Sequence, residues 1–178
     1  MTKLIIVCGL SGVGKTTLAD ELSKKLKIFC LHKDSVKETF YDSLKINGLE
    51  ESKKLGYPSV KAIIDLAEEN LARGTDVILE SPFNYPEDTK IFLGWRERYA
   101  IQIFTIILEL DSNQRKIRMI KRESERHASH YDNERHLEFL EMQYDYSNMP
   151  DKKIFLTTDK PVNKLVEKVI SQIRLFNK

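Results

Sequence analysis

Leu4 to Cys8 is an unbroken apolar run with β-branched residues, closed by Gly9, the pattern of a strand buried on both faces of a parallel sheet. Ile28–Leu31, Val77–Leu79, Ile101–Leu110 and Ile154–Leu156 repeat that character, so five strands are predicted. Helical patterns fill the intervals at Thr16–Leu26, from Asp34 onward, and at Val60–Ala72, Pro86–Tyr99, Ser112–Arg126 and Glu134–Tyr146. The final helix is the plainest: Val162, Leu165, Val166, Val169, Ile170 and Ile173 recur at helical spacing, and Pro161 suits its first turn. Alternation of strand and helix predicts an α/β fold, an open and mostly parallel sheet with helices on both faces and ligands beyond the carboxyl ends of the strands. Asn47–Pro58, with two glycines and several charges, reads as a mobile loop.

A chain of 178 residues with 41% hydrophobic composition has enough apolar material for one core, and one domain is expected over residues 1–178. The 29 basic and 27 acidic residues nearly cancel, so no global field points to nucleic acid or a membrane and any basic site must be local. Cys8 and Cys30 end apolar runs, where small buried thiols are commoner than ligands or bridges. No apolar run approaches the roughly 20 residues of a membrane span, and a cytoplasmic protein, monomer or homodimer, is expected.

Gly9-Leu10-Ser11-Gly12-Val13-Gly14-Lys15-Thr16 fits G-x-x-x-x-G-K-[ST], with a strand before it and a helix after it. Glycines let the backbone wrap a phosphate chain so that successive N–H groups and the positive end of the next helix point inward. Nucleotide contacts are therefore expected from Gly9, Ser11, Gly12, Val13, Gly14, Lys15, Thr16 and Thr17. Lys15 would reach the β- and γ-phosphates and the Thr16 hydroxyl would hold Mg²⁺; Thr17 could replace Thr16 only by a shift in register. A guanine-reading Asn-Lys-x-Asp is missing, because Asn163-Lys164 continues as Leu165-Val166 within the last helix.

With the P-loop, Asp34 after the second strand, Glu80 closing the third, and Arg115, Arg118, Arg122 and Arg126 after the fourth, the chain resembles the small P-loop kinases. These include gluconate, shikimate and chloramphenicol kinases, the kinase domain of polynucleotide kinase, and zeta-type toxins. The resemblance implies a three-layer fold with strand order 2-3-1-4-5, an Arg-rich lid over about residues 112–136, and ATP with Mg²⁺ as the phosphoryl source. It also implies a carboxylate at Asp34 that orients or deprotonates an acceptor hydroxyl, although residue type alone equally suits a helix N-cap. Relatives often carry Arg three residues later, where this chain has Lys37. Glu80 matches an acid near the magnesium and its waters; a solvated strand end is the plainer alternative.

Nucleoside monophosphate kinases follow that acid with Gly and a phosphate-gripping Arg, whereas Ser81-Pro82-Phe83-Asn84 stands here. A hydroxyl on a small molecule is thus the expected acceptor, in a pocket formed by Asn47–Tyr57 and Phe83–Glu87. The four arginines fall on one helical face, which could simply be solvated; by resemblance, Arg118 and Arg122 are favoured for neutralising the transferring phosphoryl group, with Arg122 alternatively on the base. The same cations, with Tyr131, Tyr144 and Tyr146 nearby, suit a 5′-hydroxyl polynucleotide kinase as the main rival. A P-loop NTPase without an acceptor and a non-catalytic nucleotide sensor are further alternatives. His127, His130, Asp132 and His136 lack the frame of a zinc site and are expected in a lid turn with polar contacts. Thr157–Pro161 resembles the segment bordering adenine, which puts Pro161 beside the base, or it is a helix-capping turn.

Overall fold

The computed structural model describes residues 1–83, 85–131, 140–150 and 152–176. Strands β1 (Lys3–Gly9), β2 (Phe29–His32), β3 (Val77–Glu80), β4 (Gln102–Glu109) and β5 (Lys153–Thr157) form one all-parallel sheet in the order β2-β3-β1-β4-β5. The helices are α1 (Lys15–Leu26), α2 (Lys33–Ser43), α3 (Leu49–Lys54), α4 (Gly56–Ala72), α5 (Pro86–Tyr99), α6 (Ser112–Arg122) and α7 (Val162–Phe176). This is the P-loop kinase fold, and none of its described helices is long and apolar enough to cross a membrane.

The continuous apolar character of β1 has a direct cause, since alternate residues serve two cores. Leu4, Ile6 and Cys8 pack with Ile63, Ala67, Phe92 and Trp95 of α4 and α5, while Ile5 and Val7 pack with Leu18, Leu22, Val166 and Val169 of α1 and α7. Each Val, Leu, Ile or Phe side chain among them, fully buried, contributes about 1.5–3 kcal/mol. Both cores converge on the strand that ends in the phosphate loop.

Three expectations are corrected. Asn47–Pro58 is mostly helical rather than a loop. Gly48 provides the positive φ of 92° at the N-cap of α3, and Glu50 and Glu51 at its start face Lys53 and Lys54 at its end. Pro58 sits in the first turn of α4, where its missing N–H breaks no bond. The arginine helix stops at Arg122. Glu123 and Glu125 would place negative charge at a helix C-terminus, and the chain instead makes a tight turn over Glu123–Glu125 before Arg126 extends at φ −79°, ψ 142°. Of the helix expected at Glu134–Tyr146, residues 134–139 lie outside the described set, 140 and 141 are helical, and 142–146 are not, so the helix ends earlier than expected.

Candidate active site

The P-loop joins the sheet's central strand to α1, and its shape depends on contacts from elsewhere in the chain. Gly9 has φ 140°, and a Cβ there would lie 2.5 Å from the Leu108 carbonyl oxygen of β4, so only glycine fits. Gly12, at φ 83°, approaches Met119 of α6 so closely that a Cβ would lie 3.0 Å from its Cγ. Arg115, almost fully buried, donates from Nε to the Ser11 carbonyl at 3.0 Å. Helix α6 therefore braces the loop from outside, and Asp111 caps that helix by accepting from the Asn113 and Gln114 amides.

Lys15 is buried at the start of α1 and donates to the Leu10 carbonyl at 3.0 Å. Burial lowers its pKa and Arg122 lowers it further, while Glu80 and Asp34 oppose the shift. Thr16 donates from Oγ1 to Glu80 Oε2 at 3.3 Å. The same carboxylate oxygen faces His32 Nδ1 at 3.1 Å, and His32 Nε2 faces Asp20 Oδ1 at 3.1 Å. Hydrogen bonds to Cys30 and to Glu80 push the His32 pKa up to about 10. Cys8, at the end of β1, is buried, and burial pushes its thiol up to about 12, away from the thiolate form.

Asp34 lies in the first turn of α2, and no side-chain cap is formed at that helix start. Its carboxylate accepts instead from Lys33 Nζ at 3.1 Å and Arg126 Nη2 at 3.2 Å. Burial alone would raise its pKa, but the cations around it outweigh that and hold it well below the usual carboxylate range. Of these, His130 has its own pKa lowered by burial, so at neutral pH Lys33, Arg126 and Lys15 carry the effect. A third of the Asp34 side chain remains open to solvent, which tempers it.

Lys15, Asp34 and Glu80 share one cleft of about 300 Å³, lined also by Ser11, Tyr85 and Arg126. Lys53 and Gly56, from the segment read as a loop, line it together with Lys37. Lys37 is buried and donates to the Ser129 carbonyl at 2.7 Å, and Ser52 donates to the same oxygen. The Ala128–His130 turn thus rests on α2 and α3, an attachment completed by His130 with Glu38 at 2.7 Å and His127 with Asp42 at 3.2 Å. Tyr131 accepts from the Gly48 amide at 2.8 Å and meets Tyr41 at 3.1 Å. Asp132 and His136 lie outside the described residues.

The arginines diverge. Arg115 holds the P-loop, and Arg118 donates to Thr158 through its hydroxyl at 3.2 Å and its carbonyl at 2.6 Å. Arg122 stands near enough to Lys15 to favour a lower pKa there, and Arg126 reaches Asp34. Through Arg118 the β5–α7 turn, with exposed Pro161, is tied to α6. Thr16 and Thr17 are both exposed, but of the two only Thr16 bonds to Glu80. Sequence reasoning missed Asp20, His32 and the reach of Arg126. The register that pairs His32 with Glu80 across β2 and β3 would have revealed the second, but it is not written in a single strand.

The family model described as AAA domain matches residues 4–145. Among solved structures, a candidate kinase from Chloroflexus aurantiacus J-10-fl is 25% identical, with a TM-score of 0.82 over 96% of this chain and 98% of that one. The APS kinase of Mycobacterium tuberculosis in complex with AMPPNP and APS is 17% identical, with a TM-score of 0.67 over 97% and 98%. A gluconokinase from Sinorhizobium meliloti 1021 is 15% identical, with a TM-score of 0.59 over 98% and 93%. Comparison with curated proteins gives no match.

Proposed function

The chain belongs to the AAA domain family, and from that premise we propose that it is an ATP-dependent kinase that phosphorylates a hydroxyl group of a small molecule. One observation carries the reading: Asp34 shares a single cleft of about 300 Å³ with Lys15 and Glu80 and is kept ionised by its neighbours. Phosphoryl transfer asks mainly for positioning and charge neutralisation, and this cleft offers both. The backbone amides of the P-loop and the Lys15 ammonium hold the phosphates. Arg122, arriving from α6, meets charge that grows on the transferring group.

Asp34 accepts a hydrogen bond from the acceptor hydroxyl and aims its oxygen at the phosphorus. A carboxylate of depressed pKa is a weak base, so it takes the proton late, as a loose transition state permits. The Thr16 hydroxyl and Glu80 carboxylate are hard oxygen donors that fit Mg²⁺ with its waters, and their direct hydrogen bond brings them together. When bound there, the ion supplies neutralising charge to the phosphates.

Release of ADP from ATP, measured across a panel of sugars, polyols, antibiotics, hydroxy acids and 5′-hydroxyl oligonucleotides, tests the reading. Stimulation by a small hydroxylic compound, abolished in Lys15→Ala, is expected. Stimulation by the oligonucleotide alone would replace it with the polynucleotide reading. ATP hydrolysis indifferent to every acceptor would replace it with an NTPase.

A further inference from the structure

Thr16 and Asp20, one turn apart, share a face of α1 that meets the carboxyl ends of β2 and β3. There the parallel register sets His32 beside Glu80, and neighbouring residues in register project to the same side of a sheet. The result is a continuous chain of contacts. Asp20 Oδ1 faces His32 Nε2 at 3.1 Å, His32 Nδ1 faces Glu80 Oε2 at 3.1 Å, and that oxygen accepts from the Thr16 hydroxyl at 3.3 Å. The series begins at a half-exposed carboxylate on the helix surface and ends at the two residues suited to hold Mg²⁺.

We propose that His32 is a positioning residue that fixes the Glu80 carboxylate for magnesium, with Asp20 fixing the imidazole in turn. The inference rests on the kinase reading for the identity of the ion but uses residues which that reading leaves idle. Glu80 is buried, and a free glutamate has several rotamers to choose from, so an unheld carboxylate at the cleft wall would be poorly placed. Both bonds fall on Oε2, which leaves Oε1 available to the ion or its waters. Residues standing behind a metal ligand in this way typically govern affinity for the metal by 10- to 100-fold.

Two conservative variants separate positioning from mere packing, because the Asn amide nitrogen mimics Nδ1 and the Gln amide nitrogen mimics Nε2. His32→Asn should preserve the bond to Glu80, whereas His32→Gln should keep Asp20 and lose Glu80. Calorimetry of ADP binding, with Mg²⁺ and with EDTA, gives the enhancement of nucleotide affinity by the ion without needing any acceptor. The enhancement should fall about 10-fold in His32→Gln and about twofold in His32→Asn, with the affinity in EDTA unchanged in both.

Equal losses in the two variants, or losses that persist in EDTA, would make His32 a packing residue and overturn the proposal. Thermal melts of both variants identify any that fail to fold; should His32→Gln do so, Asp20→Asn, which changes only the outer partner, should show a loss of about twofold to fivefold in the same enhancement. An Asp20→Asn enhancement equal to wild type would then also count against it. Wild-type protein that binds no nucleotide would sink the kinase reading itself. Wild-type protein that binds MgADP while His32→Gln keeps full enhancement would overturn this proposal alone.

Discussion

Replacing Asp34 with Asn removes a charge but little volume, and the surroundings of that carboxylate set what should follow. Its bonds to Lys33 and Arg126 are charge-assisted, a class that contributes about 1.5–3 kcal/mol each when well buried. A third of the Asp34 side chain is exposed, and Asn retains one acceptor oxygen, so the net loss of stability should be about 1–2 kcal/mol. For a chain of this size that lowers Tm by about 2–8 °C. Triphosphate affinity should hold or tighten by about twofold, since a negative charge near Lys15 has gone. Turnover should fall by about 10² to 10³, toward the lower part of the range for losing a proton acceptor, because the depressed pKa already makes Asp34 a weak base.

The depressed pKa also fixes the pH profile. A carboxyl whose pKa is lowered on folding contributes stability above its unfolded value near 3.8, and loses it as pH falls toward the folded value. The wild-type rate should accordingly show no acidic limb from this group between pH 8 and about 5. Isothermal calorimetry of MgATP, a thermal melt and steady-state turnover together make the test. Turnover within threefold of wild type, or nucleotide affinity lost in parallel with turnover, would refute the role given to Asp34.

Arg122→Ala should lower kcat more than MgATP affinity, because a cation aimed at developing charge acts mainly in the transition state; an effect confined to affinity would assign it to the base. Arg115→Ala removes the donor to the Ser11 carbonyl and should cost about 1–3 kcal/mol by denaturant melt, with weaker nucleotide binding measured by calorimetry. Asp88, buried at the start of α5, has its pKa raised from 3.8 to about 6 by burial and by Glu87, against the Tyr85 backbone bond. A raised carboxyl favours folding below its unfolded pKa and loses that contribution as pH climbs through about 6. Asp88→Asn should therefore stabilise by about 1–3 kcal/mol at pH 8, with the gain vanishing near pH 4 in melts across that range.

The strands and the P-loop were legible because their signals are local: apolar runs, a glycine-rich turn and a following helix occupy adjacent positions. The strand order came from resemblance to the small P-loop kinases, since periodicity says nothing about which strands are neighbours. Asn47–Pro58 was misread because its glycines and charges look like a loop until Gly48 is seen to start one helix, and Gly56 another. Ser52 is buried there only because the distant Ser129 carbonyl arrives to meet it. The arginines were legible as a group but not as individuals. Their partners Ser11, Thr158 and Asp34 come from three separate parts of the chain, and no spacing rule connects them. Asp20 and His32 carry no signal of their own for the same reason, since Glu80 meets His32 only across the β2–β3 register.

The phosphate loop grows from β1, flanked by strands on both sides, whereas Asp34 follows β2, a four-residue strand at the sheet's margin. Amide protons in a central strand exchange only when the whole domain opens, but a short marginal strand can detach at lower free energy. The two halves of the cleft are therefore built on foundations of unequal permanence. On the kinase reading proposed above, nucleotide handling would rest on the slowest-opening strand, and the acceptor side could be remodelled by substitution without disturbing it.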